Sequence, residues 1–281
     1  MYNAFFGFTE SPFNLTPDPN FLFRSAQHEE ALANLVYGVQ SRKGFVVLTG
    51  EVGTGKTTML ECLRDFLNAQ RILHASIFNS RLTPDQFFEM IAYDLELDCD
   101  KRSKVAVLCR LNEVLLARAN AGGTTALIVD EAHNLEWDVL EEIRLLGNLE
   151  NRNGKLLQIV LAGQQELDRK IEAREFRQLK QRIALRSTLS AFRPEETDAY
   201  VVYRLGRAGM KNQTVFPPPV MAAIHQRSQG IPRVINAVCD NLLLTAFAME
   251  SRTATLEMLA EVCSDLRLDA PSSRAAHYTG N

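Results

Sequence analysis

Short continuous apolar runs alternate with longer amphipathic stretches through the first two thirds of the chain. The runs at 45–48, 72–78, 125–129, 156–162 and 184–189 have the length and composition of buried strands. Between them, apolar residues return every three or four positions. Ala31, Leu32, Leu35, Val36 and Val39 predict a helix over 28–42, and a second helix starts near Lys56 and runs through Leu63. Thr83-Pro84-Asp85 reads as an N-cap with proline in the first turn, opening a helix through Phe87, Phe88, Ile91, Ala92 and Leu95. A helix over 103–120 ends at Gly122-Gly123. Another carries Leu135, Val139, Leu140, Ile143, Leu146 and Leu149, and a turn at 151–154 follows it. A basic helical region over 167–182 precedes the fifth run. This alternation predicts an α/β fold: a five-stranded parallel sheet with helices on both faces.

After Phe192 the strand signals stop. The stretches 195–205, 217–229, 232–249 and 255–266 all read as helices, with a loop at 209–216, so a small all-helical domain follows the sheet. The opening has its own character: Phe5, Phe6, Phe8, Phe13, Phe21 and Phe23 are interleaved with Pro12, Pro17 and Pro19. Proline this dense opposes helix, and aromatics this dense oppose free disorder. The expectation is an extended arm pinned by aromatic anchors, capping the core beside the glycine-rich loop; docking on a neighbouring subunit is the sharper alternative. The domain plan is therefore an arm at 1–28, an α/β core at 29–191, a helical domain at 192–268 and a loose tail at 269–281.

With 281 residues, 46% of them hydrophobic and 23% charged, the chain has room for about two compact units of ordinary soluble composition. A net charge of −3 gives no global attraction to nucleic acid or anionic lipid. The five cysteines form no CxxC pair and do not cluster with other ligands, which argues for reduced thiols in a cytoplasmic setting and against a zinc site. No apolar stretch approaches the ~20 residues that span a bilayer, and the N-terminus lacks the pattern of a signal peptide. Direct membrane insertion is not expected. Tethering to the inner membrane would need a partner.

The chemistry concentrates after the first strand. Residues 50–57 are Gly50, Glu51, Val52, Gly53, Thr54, Gly55, Lys56 and Thr57, a complete P-loop between a strand and a helix, with Thr58 in the helix's first turn. The glycines let the backbone turn and aim N–H groups at phosphate oxygens, and the helix N-terminus adds partial positive charge there. Lys56 is placed to reach the β- and γ-phosphates of ATP, and Thr57 to offer its hydroxyl to Mg²⁺. Asp130 and Glu131 close the third apolar run. Asp130 suits the magnesium shell and Glu131 the activation of a water. If the fourth strand inserts between the first and third, Gln164 emerges between Lys56 and Glu131, placed to sense the γ-phosphate. The plainer interpretation of Gln164 is a turn residue. The string Asp130-Glu131-Ala132-His133 also marks some helicases, but those need two similar α/β domains and the second half here is helical. His133 is expected to link the catalytic strand to the next helix, and Trp137 to pack.

These residues together resemble the AAA+ ATPases, and more narrowly the ExeA/GspA-type ATPases of bacterial general secretion. The narrower likeness rests on Phe6-Gly7-Phe8, Pro12-Phe13, Pro17-Asp18-Pro19, Phe21-Leu22-Phe23 and His28 with Ala31-Leu32. The P-loop through Thr58, Asp130-Glu131-Ala132-His133, Leu161-Ala162-Gly163-Gln164, Gln181-Arg182-Ile183 and Gly230-Ile231-Pro232-Arg233 continue it. The likeness covers about residues 1–268. It implies that the helical domain is a lid, that Arg233 is a sensor reaching the γ-phosphate, and that Arg182 is an arginine finger entering a neighbour's site. Arg174 and Arg177 stay open as alternative fingers, and a solvated basic face is the plain interpretation of the cluster. His28 near the adenine is a further implication.

The implied activity is Mg²⁺-dependent ATP hydrolysis in a homo-oligomeric ring or filament that assembles or remodels a partner complex, in the family a component of envelope assembly. Larger members carry a transmembrane helix and a cell-wall-binding domain beyond the ATPase; this chain stops near the lid. The alternative from another class is an ATP-gated adaptor, including a transposition-regulator-like role on DNA, with slow hydrolysis as a release clock. The near-neutral charge weighs against DNA. A nucleotide-binding protein without turnover is disfavoured by Glu131.

Overall fold

The computed structural model describes residues 1–16, 18–78, 81–152, 154–210 and 214–268. In chain order its elements are helix α1 (Tyr2–Phe6), α2 (Ala26–Gln40), strand β1 (Phe45–Gly50), α3 (Lys56–Ala69), β2 (Leu73–Ile77), α4 (Pro84–Asp94), α5 (Lys104–Asn120) and β3 (Thr125–Val129). Then come α6 (Trp137–Leu146), the two-residue strands β4 (Glu150–Asn151) and β5 (Gly154–Lys155), β6 (Leu157–Gly163), α7 (Gln165–Glu172), α8 (Arg177–Lys180) and β7 (Ile183–Leu189). Helices α9 (Pro194–Arg207), α10 (Pro218–Ser228), α11 (Pro232–Ala248) and α12 (Leu256–Asp265) finish it. The chain divides into two compact units: Arg24–Ser190, and Met1–Phe23 together with the chain from Ala191 onward.

The first unit is a five-stranded sheet in the order β2-β3-β6-β1-β7, parallel throughout. Every residue of β1, β3 and β6 is buried, which is why these strands read as unbroken apolar runs. At the edge, β7 alternates half-buried and exposed positions. Helices α2 and α3 cover one face, where Gly38 of α2 lets Val46 approach within 2.3 Å of a virtual Cβ. Helices α4 to α7 cover the other, packing on Phe45, Val47, Leu127, Ile159 and Leu161. The expected insertion of the fourth core strand is present, since β6 pairs with both β1 and β3. The basic region at 167–182 is not one helix. It breaks at Ala173 (ψ 149) into α7, a 3₁₀ turn at Arg174–Phe176, and α8. Leu149 lies past the end of α6, partly buried against the same core. β4 and β5 pair as a small antiparallel ribbon around the turn expected at 151–154, of which Asn153 lies outside the described residues.

The second unit packs α9 to α12 around their own core, and the aromatic opening belongs to it. Phe6, Phe8, Phe13 and Phe21 are buried among Tyr200, Phe216, Leu242 and their neighbours. The segment is not extended throughout: Tyr2–Phe6 is helical and closes at Gly7 in a left-handed cap (φ 78). A buried arginine, Arg204, fastens it. Its guanidinium donates from Nε to the Pro12 carbonyl and from Nη1 to the Tyr200 hydroxyl (2.9 Å), and it lies over the Phe21 ring. The Tyr2 hydroxyl donates to Asp240, and the Thr9 N–H to the Ala208 carbonyl. The tail from 269, Pro17 and part of the loop at 209–216 (211–213) lie outside the described residues.

Candidate nucleotide site

The site is assembled at the carboxyl ends of β1, β3 and β6, where parallel α/β sheets present their loops. β1 delivers the chain to Gly50, which has no room for a side chain: a Cβ there would lie 2.5 Å from the Leu189 carbonyl oxygen. Gly53 (φ 81) and Gly55 (φ 102) take the left-handed backbone that the loop needs. Gly55 is also the N-cap of α3, and no side chain caps that helix. Its first N–H groups therefore face the loop's interior, the arrangement that receives phosphate.

Lys56 is 5% exposed, and its Nζ donates to the carbonyls of Gly50 (2.9 Å) and Glu51 (2.8 Å). Burial pushes its ammonium below the ordinary lysine range, while Glu131 and Asp130 nearby pull the other way. The Thr57 hydroxyl donates to Asp130 Oδ2 at 3.1 Å, so the two groups expected at magnesium already touch. Asp130 is itself fixed: its N–H donates to the Ile77 carbonyl, and its Oδ1 accepts the Glu131 N–H at 2.8 Å. A hydroxyl, one carboxylate and an uncapped helix start suit a magnesium ion shared with phosphate oxygens. Among the described residues no cluster of three or more His, Cys, Asp or Glu could hold a metal unaided.

Glu131 stands at φ 51, ψ 32, a left-handed conformation sparsely used by residues other than glycine. Its carboxylate lies 3.5 Å from His133 Nε2. Gln164 is the N-cap of α7, directly beyond β6, and its main-chain N–H donates to His133 Nδ1 at 3.3 Å. The fold thus brings Lys56, Thr57, Asp130, Glu131 and Gln164 to one end of the sheet. It does not bring Arg182 there. That residue precedes β7 at the opposite, amino end, beside the partners of Phe45, and donates to the Arg144 carbonyl (3.0 Å). Arg174, on the 3₁₀ turn, and Arg177, at the start of α8, are exposed. Arg233 occupies the first turn of α11 in the other unit, directly after Pro232, and is exposed.

Two residues gain roles that local spacing could not reveal. His28 is buried under the loop, donating from Nε2 to the Thr54 carbonyl (3.1 Å) and accepting the Ser25 hydroxyl at Nδ1 (2.7 Å). It would lie 3.3 Å from a Cβ at Gly55, so it buttresses the turn. His133 faces Glu131 and Gln164 rather than merely linking strand to helix. Trp137 does pack, stacked on Phe176 at 4.7 Å between ring centroids.

Residues 39–171 match the AAA domain family. With the P-loop, the Asp130-Glu131 pair and the strand order already in place, the family follows. The matched segment is an AAA+ ATPase domain, and the chain around it resembles the ExeA/GspA type. It is 44% identical over 252 residues to General secretion pathway protein A of Aeromonas hydrophila, covering 89% of this chain and 46% of that protein. The AAA+ chain thus spans about half the length of its curated relative. Similar folds include the Aeropyrum pernix ORC2 protein (TM-score 0.67, 16% identity, 92% of this chain and 72% of that one) and Cdc6p of Pyrobaculum aerophilum (TM-score 0.68, 16%, 94% and 70%). The RuvB Holliday junction branch migration motor of Thermotoga maritima also matches (TM-score 0.59, 14%, 88% and 70%). At these identities the likeness concerns the fold.

Proposed function

We propose that this AAA+ protein is a Mg²⁺-dependent ATPase that works as a homo-oligomer and uses turnover to assemble or remodel a partner complex. The observation that carries the proposal is the Thr57–Asp130 contact with Glu131 one residue beyond. A bound magnesium would neutralise phosphate charge there. Lys56 and the α3 N–H groups hold the phosphates, and Thr57 and Asp130 hold the ion. Glu131 orients the attacking water and takes its proton. Gln164 senses the γ-phosphate, and Arg233 reports it from the helical unit. Arg182, at the far end of the sheet, is suited to a neighbour's site rather than its own.

The relative's name supports a place in general secretion, and we propose an envelope-assembly component as the partner. No helix among the described residues is long and apolar enough to cross a membrane. We place the protein on the cytoplasmic side, held at the inner membrane by that partner.

Glu131→Gln tests the chemistry. It should keep ATP affinity and lower turnover by about 10²–10⁴-fold; wild-type turnover in the variant rejects the role. Turnover per subunit should also rise with protein concentration, and Arg182→Ala should remove that rise. Activity independent of concentration removes the arginine in trans.

A further inference from the structure

His133 stands beside Glu131 at the site, the proposed chemistry does not use it, and its surroundings are specific. The side chain is 10% exposed, between the turn after β3 and the start of α7. The Gln164 N–H donates to Nδ1 (3.3 Å), which places the ring proton on Nε2. That N–H lies 3.5 Å from Glu131 Oε2. Glu131 needs such a partner more than most carboxylates do. Its own backbone is left-handed, outside any helix or strand, and its side chain is 41% exposed. Its main chain is tied at both ends, the N–H donating to Asp130 Oδ1 (2.8 Å) and the carbonyl accepting the Asn134 N–H (2.9 Å), but neither bond holds the carboxylate. The main chain that carries the ring is also closely packed: a Cβ at Gly163 would come within 3.1 Å of the His133 backbone nitrogen, so the end of β6 abuts the His133 turn.

We infer that His133 is a positioning residue for Glu131, bridging its carboxylate to the main-chain N–H of Gln164. The inference rests on the ATPase reading above. Its consequence is directional: a shift of the β6–α7 turn moves the ring, and the ring moves the base. Glu131 is thereby aimed from the same turn that carries Gln164. Misaiming a base by about 1 Å costs up to roughly 100-fold in rate.

The test is steady-state ATP hydrolysis with Mg²⁺ by the full chain, with ATP affinity measured separately. His133→Ala should lower kcat by about 10- to 100-fold and leave KM for ATP nearly unchanged. His133→Gln should recover most of the loss, because its amide oxygen accepts the Gln164 N–H and its amide nitrogen donates to Glu131. In a Glu131→Gln background His133→Ala should have no further effect, as two residues acting in one unit do not add. Where His133→Ala lowers the melting temperature, His133→Leu replaces it, filling the space without the polar contacts to Gln164 and Glu131.

Three results overturn the inference: unchanged kcat in His133→Ala, His133→Gln as slow as His133→Ala with ATP affinity intact, or a full effect persisting without Glu131. The parent reading fails differently. There, wild type would not hydrolyse ATP, or would do so no faster than Glu131→Gln.

Discussion

Lys56 shows how the site holds a charge in waiting. Its ammonium is buried against two carbonyls, and burial outweighs the neighbouring carboxylates in setting its proton affinity. A lysine whose folded pKa is lowered binds its proton less well folded than unfolded. It therefore makes stability rise with pH between that lowered value and the ordinary lysine range, and costs stability below it. Lys56→Met should then leave the melting temperature of the nucleotide-free protein at or above wild type. It should also weaken ATP binding by about 10- to 100-fold, the worth of a charge-assisted contact. Thermal unfolding with and without ATP reads both. A lower melting temperature without nucleotide contradicts the burial cost. The glycines beside Lys56 were legible from the motif alone. The contacts of the two histidines were not, because Thr54 meets His28 and Gln164 meets His133 only through the fold, 26 and 31 positions away.

Among the elements, legibility followed burial. β1, β3 and β6 lie in the middle of the sheet, so their unbroken apolar runs announced them. α4 announced itself through its cap: the Thr83 hydroxyl accepts the Gln86 N–H (3.3 Å), and the Gln86 side chain accepts the Thr83 N–H (3.0 Å). Thr83→Ala should cost about 1 kcal/mol of stability with ATP turnover unchanged. Chemical denaturation checks the first half, and a loss of turnover would mean that α4 does more than cover the sheet. α1 was hidden, since a five-residue helix just ahead of several prolines has too few turns to show a period. The break at Ala173 was hidden too. Leu167 and Ile171, then Phe176 and Leu179, are buried at helical steps of four and three, and these steps masked the five-residue step between them where the chain bends.

At the scale of the molecule, the aromatic opening is structural for the helical unit. Phe13 is 1% exposed within that core, next to Phe216, and Arg204 clamps the Pro12 carbonyl beside it. Phe13→Ala should destabilise the helical unit by about 3–5 kcal/mol, the usual cost of emptying a buried aromatic site. Hydrogen exchange should show the loss in α9 to α12 and leave β1, β3 and β6 protected. Equal loss across the sheet would mean that the two units unfold together. Sequence patterning found the helices of this unit but assigned the opening to the other one, because aromatic anchors do not declare what they anchor to.

Synthesis meets this arrangement in an awkward order. The phenylalanines of residues 1–23 emerge from the ribosome well before the helices that bury them, which begin only at residue 194. Through all the intervening translation the nascent chain carries a greasy, unsatisfied leader while the sheet beside it is free to fold. Closing that long loop carries an entropic cost that local contacts within the sheet do not. Until it closes, the leader is the stretch of this protein most open to capture by a chaperone.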